Sequence, residues 1–255
     1  MEIVGLVSGG KDSCYNLMCA AREGHRIVAL ANLHPPKDSK SDELDSYMYQ
    51  SVGADGVELY SEAMGIPLYR RAIHGKPNNQ NYDYEKTDGD EVEDLYDLLA
   101  DVKRSHPNVA GVAAGAILSS YQKLRVEDVC RRLDLVPVCY LWERDQNELL
   151  QEMIDSGLDA ILIKVAAIGL NRSHLGMTLK QIQPTMLDLQ SKFGVHPCGE
   201  GGEFETFVRD CSLFKKRIVI DETEVVAHHN DPIAPVFYLR LKKMHLETKS
   251  TPVGP

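Results

Sequence analysis

The feature that most constrains the fold is a glycine loop near the N-terminus, Val7-Ser8-Gly9-Gly10-Lys11-Asp12-Ser13. It follows an apolar run at residues 3–7, and it precedes a segment with apolar side chains at helical spacing, which are Cys14, Leu17, Met18 and Ala21. Gly24 ends that segment where a C-terminal glycine is expected. The sequence therefore predicts a strand, a tight loop and a helix, in that order.

A loop of this kind can hold a chain of phosphates. Its two consecutive glycines let backbone N–H groups approach an oxyanion, and the amides at the start of the following helix carry partial positive charge. We expect Lys11 to be an exposed, mobile cation and the hydroxyls of Ser8 and Ser13 to be short donors. Asp12 fits beside phosphates if it helps to hold a divalent cation or binds a backbone amide. The spacing is neither that of a Walker loop nor that of a dinucleotide fingerprint, and the plain alternative is a turn with a helix N-cap.

Strands and helices alternate along the N-terminal half. The predicted strands after the first lie at residues 26–33, 67–73, 109–115 and 136–141. Their alternation with helices predicts parallel β-α-β units in a doubly wound, mainly parallel α/β sheet. Ligands bind outside the carboxyl ends of such strands, so Ala31, Asn32 and Leu33 are candidates for framing a nucleotide base. A plain strand end is the alternative for each of them.

Two connections in this half are long. We predict a helix over residues 44–64 with a weakness near Gly53, after a polar loop at residues 35–43. Residues 75–89, with several Pro, Asn and Tyr, are long for a connection within a compact domain and are a candidate lid. Residues 90–104 then predict an amphipathic helix with acidic residues at its favourable N-terminal end.

The loop Ser8-Gly9-Gly10-Lys11-Asp12-Ser13 resembles the PP-loop of N-type ATP pyrophosphatases, which cleave ATP between the α- and β-phosphates to activate a carboxylate or carbonyl oxygen as an adenylate. Six residues cannot distinguish the subfamilies, but two later stretches can, at residues 115–127 and 198–206. With them the chain resembles the diphthine–ammonia ligase family from residue 1 to about residue 240. The resemblance implies a HUP-type, Rossmann-like sheet.

The resemblance also implies a reaction, the amidation of diphthine on translation elongation factor 2. The diphthine carboxylate attacks the α-phosphorus of ATP, pyrophosphate leaves, and ammonia displaces AMP from the acyl-adenylate to give diphthamide. ATP and Mg²⁺ are the implied cofactors, and ammonium is the implied nitrogen source. The chain lacks a recognisable glutaminase domain, which agrees with free ammonium as the donor.

The stretch at residues 115–127 predicts a second helix start that faces an anion, beside the glycine loop. Hydroxyl groups, Tyr121, Lys123 and Arg125 open a helix directly after a strand of small residues. Lys123 and Arg125 could neutralise the departing pyrophosphate. The residues alone fit an N-capped helix with basic surface residues equally well, and the resemblance favours the functional interpretation.

Beyond Trp142 the pattern changes to that of a smaller α+β domain. Helices are predicted at residues 147–155 and 179–193, a strand at 160–166, and strand-like runs at 205–209, 217–220 and 235–241. We therefore predict a PP-loop ATP-binding domain over residues 1–141, a substrate-binding domain over residues 142–247 and a polar, mobile tail over residues 248–255.

An acidic segment forms the second candidate centre. Glu200, Glu203 and Glu205 surround Gly201-Gly202, whose flexible backbone allows several carboxylates to face one pocket. Such a cluster is costly unless it meets a cation. Diphthine carries a trimethylammonium group, so an acidic pocket beside an aromatic ring such as Phe204 is chemically suitable. The alternative is an exposed acidic turn.

Motifs and resemblance together assign catalysis to Lys11 and Asp12, with Asp12 also as a ligand of Mg²⁺. The ATP-binding assignments are Ser8, Gly9, Gly10, Lys11, Asp12, Ser13, Asn32, Leu33, Gly115, Ala116, Ser119 and Arg125. The substrate-binding assignments are Tyr121, Glu200, Gly201, Gly202, Glu203, Glu205 and Thr206.

Composition weakens the case for an RNA substrate without excluding it, because a local basic patch could still exist. The chain has 255 residues with a net charge of −10, which argues against a large nucleic-acid footprint. Its six cysteines form no C-x-x-C pair, and we expect them to be reduced in a cytosolic, membrane-free protein. A PP-loop tRNA-modifying enzyme should carry a basic RNA-binding surface, and for thiolation it should also carry paired cysteines. A nucleotide-binding sensor without catalysis is the other alternative, because this α/β architecture can serve it too.

Overall fold

The computed structural model describes residues 1–36, 48–50, 52–229, 231 and 234–249. The strands and α-helices, in chain order, are β1 (Glu2–Leu6), α1 (Lys11–Arg22), β2 (Arg26–His34), α2 (Tyr60–Met64), β3 (Leu68–Ala72), α3 (Glu91–Ser105), β4 (Val109–Ala113), α4 (Ser120–Arg132), β5 (Val136–Val138), α5 (Gln146–Asp155), β6 (Asp159–Val165), α6 (Leu179–Phe193), β7 (Phe204–Asp210), β8 (Lys216–His229) and β9 (Val236–Thr248).

The chain forms two compact units. The first unit comprises Met1–Ala54 and Ile66–Asp145, and the second comprises Asp55–Gly65 and Gln146–Pro255. The short segment that contains α2 therefore belongs with the C-terminal half, although it lies early in the chain.

The first unit is built on a five-stranded parallel sheet with the order β3-β2-β1-β4-β5. The predicted parallel α/β sheet is confirmed. Strand order reverses between β1 and β4, so the loops that follow these two strands open at the switch point, where such sheets bind ligands. A buried apolar cluster packs helices on this sheet and includes Val4, Ala29, Leu95, Leu99, Val112 and Val129.

The second unit contains a four-stranded sheet with the order β7-β6-β9-β8 and antiparallel pairing throughout. Helix α6 contributes to its apolar core, which includes Leu162, Val165, Ile182, Met186 and Phe204. The predicted smaller α+β unit is confirmed, but two of its strands are much longer than the predicted runs 217–220 and 235–241. Strands β8 and β9 continue as a ribbon in which charged residues interrupt the apolar ones and few side chains are buried, so the apolar pattern gives only part of their length.

The predicted helix over residues 44–64 is wrong within the described residues. Residues 48–50 and 52–53 are not helical, Ala54–Leu59 form a 3₁₀ turn, and only Tyr60–Met64 are α-helical. Gly53 takes a φ of 78°, which a continuing helix cannot accommodate. The remainder of that prediction, residues 44–47 and 51, lies outside the described residues.

Within the described part of the chain, no helix combines the length and the apolar character that a membrane crossing needs. Of the predicted tail, residues 250–255 lie outside the described residues. Lys249 forms an ion pair with Asp210 at 2.5 Å and donates a hydrogen bond to the carbonyl of Cys211.

Candidate active site

The glycine loop turns directly from β1 into α1. Gly9 has a φ of 94°, a left-handed conformation that favours glycine, and Gly10 is the extended N-cap residue of α1. The Ser13 hydroxyl donates to the Gly10 carbonyl at 3.0 Å and accepts from the Ser8 amide, while the Ser8 hydroxyl accepts from the Gly10 amide. The two hydroxyls therefore build the loop itself, a use that their predicted role as ligand donors did not include.

Lys11 differs from its predicted exposure. It is the first residue of α1 and its side chain is only 3% exposed, whereas the neighbouring Asp12 side chain is 28% exposed. Lys11 Nζ lies 2.8 Å from Asp12 Oδ2. Because the helix starts at residue 11, the lysine lies within the packed first turn instead of at the tip of a flexible loop.

The segment after β4 packs against the glycine loop. A Cβ on Gly115 would lie 2.6 Å from the carbonyl carbon of Asp12 and 2.7 Å from the amide nitrogen of Ser13, so only glycine permits this approach. Ala116 is buried next to it, and Ser119 caps α4 by accepting from the Gln122 amide. The structure thus brings the two predicted anion-facing helix starts together at the switch point.

The predicted base-framing residues have other contacts. The side-chain Nδ2 of Asn32 donates to the Val7 carbonyl at 2.8 Å, and the side-chain Oδ1 of Asn32 accepts from Arg70 Nε at 2.9 Å. Leu33 belongs to the buried apolar cluster. Both side chains therefore support the sheet and the start of the glycine loop. Contact of these residues with a nucleotide base stays a prediction, and it would have to be made by their main-chain atoms.

The two basic residues of α4 also lie in unexpected surroundings. Arg125 is 0% exposed and donates to the main-chain carbonyls of Tyr121, Asn79 and Asn81. Lys123 pairs with Glu127, which raises the pKa of the lysine, and its Nζ lies 5.0 Å from the centre of the Trp142 ring. Their predicted contact with pyrophosphate stays a prediction, and it would require these groups to leave their present partners.

The candidate lid at residues 75–89 is fastened to the body of the first unit. The buried carboxylate of Asp94 accepts from the amides of His74 and Gly75 at 2.8 Å, and the Asp90 carboxylate accepts from the Asn79 amide at 2.8 Å. Tyr84, also buried, donates to Glu93 at 3.0 Å. These hydrogen bonds attach the segment to the rest of the first unit, and we refer to residues 75–89 as the wall; movement of this segment as a lid stays a prediction.

The three carboxylates of the acidic segment have different environments. Glu205 lies 3.1 Å from Lys164 Nζ across the β6–β7 pair, and both side chains are largely buried. Glu203 is 8% exposed and accepts from the His196 amide at 2.9 Å. Glu200 is partly exposed in the turn before β7. The predicted cluster is thus one half of an ion pair, one buried carboxylate bound to backbone, and one carboxylate near the surface.

Other members of this segment help to shape the turn. Gly201 and Gly202 are exposed, and Thr206 is buried in β7. The buried thiol of Cys198 donates to the Gln146 carbonyl at 3.2 Å, which assigns it a packing role instead of a nucleophilic one.

Several residues that shape these sites were missed at the level of sequence. Lys164 neutralises Glu205, Gln146 holds Cys198, and Asn16 bridges α1 to the end of β5 by bonding the Val138 carbonyl and the Tyr140 amide. A lysine within the otherwise apolar run of β6 was the one signal available for Lys164. Nothing in the sequence pattern distinguishes Gln146 or Asn16 from ordinary helix residues.

Known protein families match the sequences of both units. The diphthamide synthase N-terminal domain family matches residues 1–137, and the diphthamide synthase C-terminal domain family matches residues 145–245. The chain is 57% identical to the diphthine–ammonia ligase of Bos taurus over 99% of this chain and 95% of that protein. It is 59% identical to that of Danio rerio over 98% of each chain, and 55% identical to that of Schizosaccharomyces pombe over 95% of this chain and 39% of the other. The chain therefore belongs to the diphthamide synthase family.

Proposed function

We propose that this protein is an ATP-dependent ligase that amidates the carboxylate of diphthine with ammonium to give diphthamide. The observation that carries the proposal is the match to diphthine–ammonia ligases over nearly the whole length of both chains, at 57% identity for Bos taurus. The geometry supports it, because a glycine loop and a helix N-terminus open at the switch point of a parallel sheet.

ATP is proposed to bind where the glycine loop and the segment after β4 meet. The amides of the glycine loop and of the first turn of α1 would receive the β- and γ-phosphates, and Gly115 and Ser119 would line the opposite side. Lys11, buried in that first turn, supplies a positive charge at a fixed position. A preordered charge of this kind favours the separation of pyrophosphate, since no reorganisation is needed as negative charge develops.

Mg²⁺ fits this site as a partner of the nucleotide. The described residues bring no three His, Cys, Asp or Glu side chains together as a metal cage. Mg²⁺ commonly uses one or two carboxylates together with substrate phosphates, and Asp12 is the partly exposed carboxylate in the glycine loop. Asp12 would therefore hold the ion, which would neutralise phosphate charge.

The chemistry we propose passes through an acyl-adenylate. The diphthine carboxylate attacks the α-phosphorus, pyrophosphate departs, and ammonia displaces AMP. Translation elongation factor 2 is the proposed bearer of diphthine, and the cytosol is the proposed location. Within the second unit, the turn with Glu200, Gly201 and Gly202, the neighbouring Glu203 and Thr206 of β7 are proposed to receive the cationic substrate.

The test uses purified protein, elongation factor 2 bearing diphthine, ATP and ammonium. We expect the mass of the factor to shift from that of diphthine to that of diphthamide, with AMP and pyrophosphate formed in equal amounts. Without ammonium, pyrophosphate release should be slow and no diphthamide should form. ADP and phosphate as products would overturn the adenylate route, and an unchanged mass of the factor would overturn the amidation itself.

A further inference from the structure

Arg125 is one of the most deeply buried large side chains of the first unit. Its guanidinium carbon lies 3.3 Å from the centre of the Tyr121 ring and 5.3 Å from that of the Tyr84 ring. Among the residues that the structure describes, no carboxylate forms an ion pair with it. A buried cation is therefore stabilised by two ring faces and by carbonyl oxygens.

The hydrogen bonds of Arg125 join two segments that are far apart in the sequence. Nη2 donates to the Asn79 carbonyl at 2.6 Å and to the Asn81 carbonyl at 3.1 Å, and Nη1 donates to the Tyr121 carbonyl at 3.1 Å. Tyr84 belongs to the same wall as Asn79 and Asn81, and Tyr121 lies in the first turn of α4. Arg125 thus fastens the wall at residues 75–89 to the start of α4.

We propose that Arg125 is a positioning residue that holds this wall and the first turn of α4 in the geometry that binds ATP. The start of α4 follows Ser119 and Gly115, and Gly115 contacts the backbone of the glycine loop. Without the contacts of Arg125, the wall would have to become ordered when ATP binds. Part of the binding free energy would be used for this ordering, so KM for ATP should rise while kcat stays unchanged. The inference relies on the proposed function only for the identity of the nucleotide.

Arginine is required here because of its shape as well as its charge. Its planar fork reaches three carbonyls while its faces meet aromatic rings, and lysine offers a single ammonium that cannot do both. Lysine does bind phosphates, however. Arg125→Lys therefore separates a fastening role, which lysine cannot fill, from a direct phosphate contact, which lysine largely retains.

Tyr84 provides a second, independent variant. Tyr84→Leu removes a ring face of the fastening, whereas Tyr84→Phe keeps the ring and removes only the hydrogen bond to Glu93. The matched control is Arg131→Gln on the same helix, because the Arg131 side chain is 74% exposed and reaches the buried carboxylate of Asp128 from the solvent side. Asp128 keeps its contact with Arg132 in this control variant.

Two measurements test the proposal. The first is steady-state amidation with ATP varied, and the second is cleavage by chymotrypsin after Tyr82, which lies at the exposed rim of the wall. We expect Arg125→Lys and Tyr84→Leu each to raise KM for ATP about tenfold, with kcat within about twofold, and to speed cleavage about tenfold. Tyr84→Phe and Arg131→Gln should have the KM for ATP and the cleavage rate of the wild type. The double variant that combines Arg125→Lys with Tyr84→Leu should show no larger change in either quantity than each single variant does.

Three results would overturn the proposal. The first is a lower kcat with an unchanged cleavage rate in Arg125→Lys. The second is a Tyr84→Leu variant with wild-type KM for ATP and wild-type cleavage rate. The third is a double variant whose changes in KM and cleavage rate are the sum of those of the single variants. If Arg125→Lys does not fold, Tyr84→Leu decides the question alone. The cleavage assay needs no turnover, so it remains informative even if the wild-type protein makes no diphthamide.

Discussion

The glycine loop and the acidic segment both carry several charged or polar side chains within a few residues, yet they are organised in opposite ways. In the glycine loop the partners are close in sequence, since Lys11 pairs with Asp12 and Ser13 bonds Gly10 and Ser8. In the acidic segment Glu205 pairs with Lys164, 41 residues earlier in the chain. Local partners can be inferred from a motif, whereas distant partners depend on strand register.

The difference changes what each carboxylate can do. Asp12 is partly exposed beside a buried cation and can share a metal with a nucleotide. Glu205 is already neutralised within the second unit, so it has less charge to offer a substrate than Glu200 or Glu203. The fold therefore gives the carboxylates of this acidic segment different environments, and we propose that Glu205 is structural while Glu200 and Glu203 contact the substrate.

The largest expected effect concerns the glycine loop. Lys11→Ala should lower the turnover of amidation about 10²-fold or more, because a preordered charge beside the phosphates is lost. Since Lys11 is buried, the variant should also lose about 1 kcal/mol of unfolding free energy, which a flexible exposed lysine would not contribute. Amidation kinetics and urea unfolding measure the two effects.

Lys192→Ala is the control for this prediction, because it removes a surface ion pair with Asp188 on α6. It should leave both turnover and stability nearly unchanged. Wild-type turnover in a well-folded Lys11→Ala variant would contradict the assignment of the glycine loop to ATP.

The next effect concerns the contact between the two helix starts. Gly115→Ala would place a methyl group against the backbone of Asp12 and Ser13, so the loop or the segment after β4 must shift. We expect KM for ATP to rise at least about tenfold, because displacements near 1 Å are costly at preordered sites. Gly24→Ala, at a φ of 80° with open space around it, should cost stability but leave KM for ATP unchanged. An unaltered KM for ATP in Gly115→Ala would remove this contact from the site.

The third prediction separates the carboxylates of the acidic segment. Glu200→Gln and Glu203→Gln should each raise KM for the modified elongation factor, by about tenfold for the buried Glu203 and by less for the partly exposed Glu200, since the negative charge that we propose to meet the substrate cation is lost. Glu205→Gln should instead lower the unfolding free energy by about 2 kcal/mol with little change in that KM, because the largely buried charge of Lys164 loses the opposite charge of Glu205.

The double variant Lys164→Met with Glu205→Leu should recover most of the stability that Glu205→Gln loses, because both charges of the pair are then removed together. Equal effects of all three Gln variants on substrate KM would break the division between structural and substrate-facing carboxylates. ATP binding should stay near normal in each of them.

The smallest effect is a pH dependence within the first unit. Burial by itself would raise the pKa of Glu93, but hydrogen bonds from Arg132 and Tyr84 outweigh it and hold the pKa below the ordinary value of 4.5. A lowered pKa contributes stability that is present above pH 4.5 and is lost as the pH falls through the folded-state pKa. Glu93→Gln should therefore be less stable than the wild type by about 1 kcal/mol at pH 7, with the difference shrinking in acid. A constant difference from pH 7 to acid, measured by urea unfolding, would contradict this origin.

Much of the architecture follows from the sequence alone. Strict alternation of apolar runs with amphipathic segments predicted the parallel sheet, and the loop between residues 7 and 13 predicted where its ligand edge lies. The elements whose bounds were predicted wrongly were β8 and β9, in which only Ile218, Tyr238 and Leu239 are buried, and the broken segment around Gly53. Secondary structure without a buried face leaves no periodic signal in the sequence.

The glycine loop and the family could be identified from the sequence, because both depend on residues that are neighbours along the chain. The burial of Lys11, the hydrogen bonds from Arg125 to the wall at residues 75–89 and the ion pair of Glu205 with Lys164 could be known only from the folded chain. Exposure and charge pairing depend on which elements the fold packs together. A side chain's chemical type is written in the sequence, but its partners are set by strand order and register.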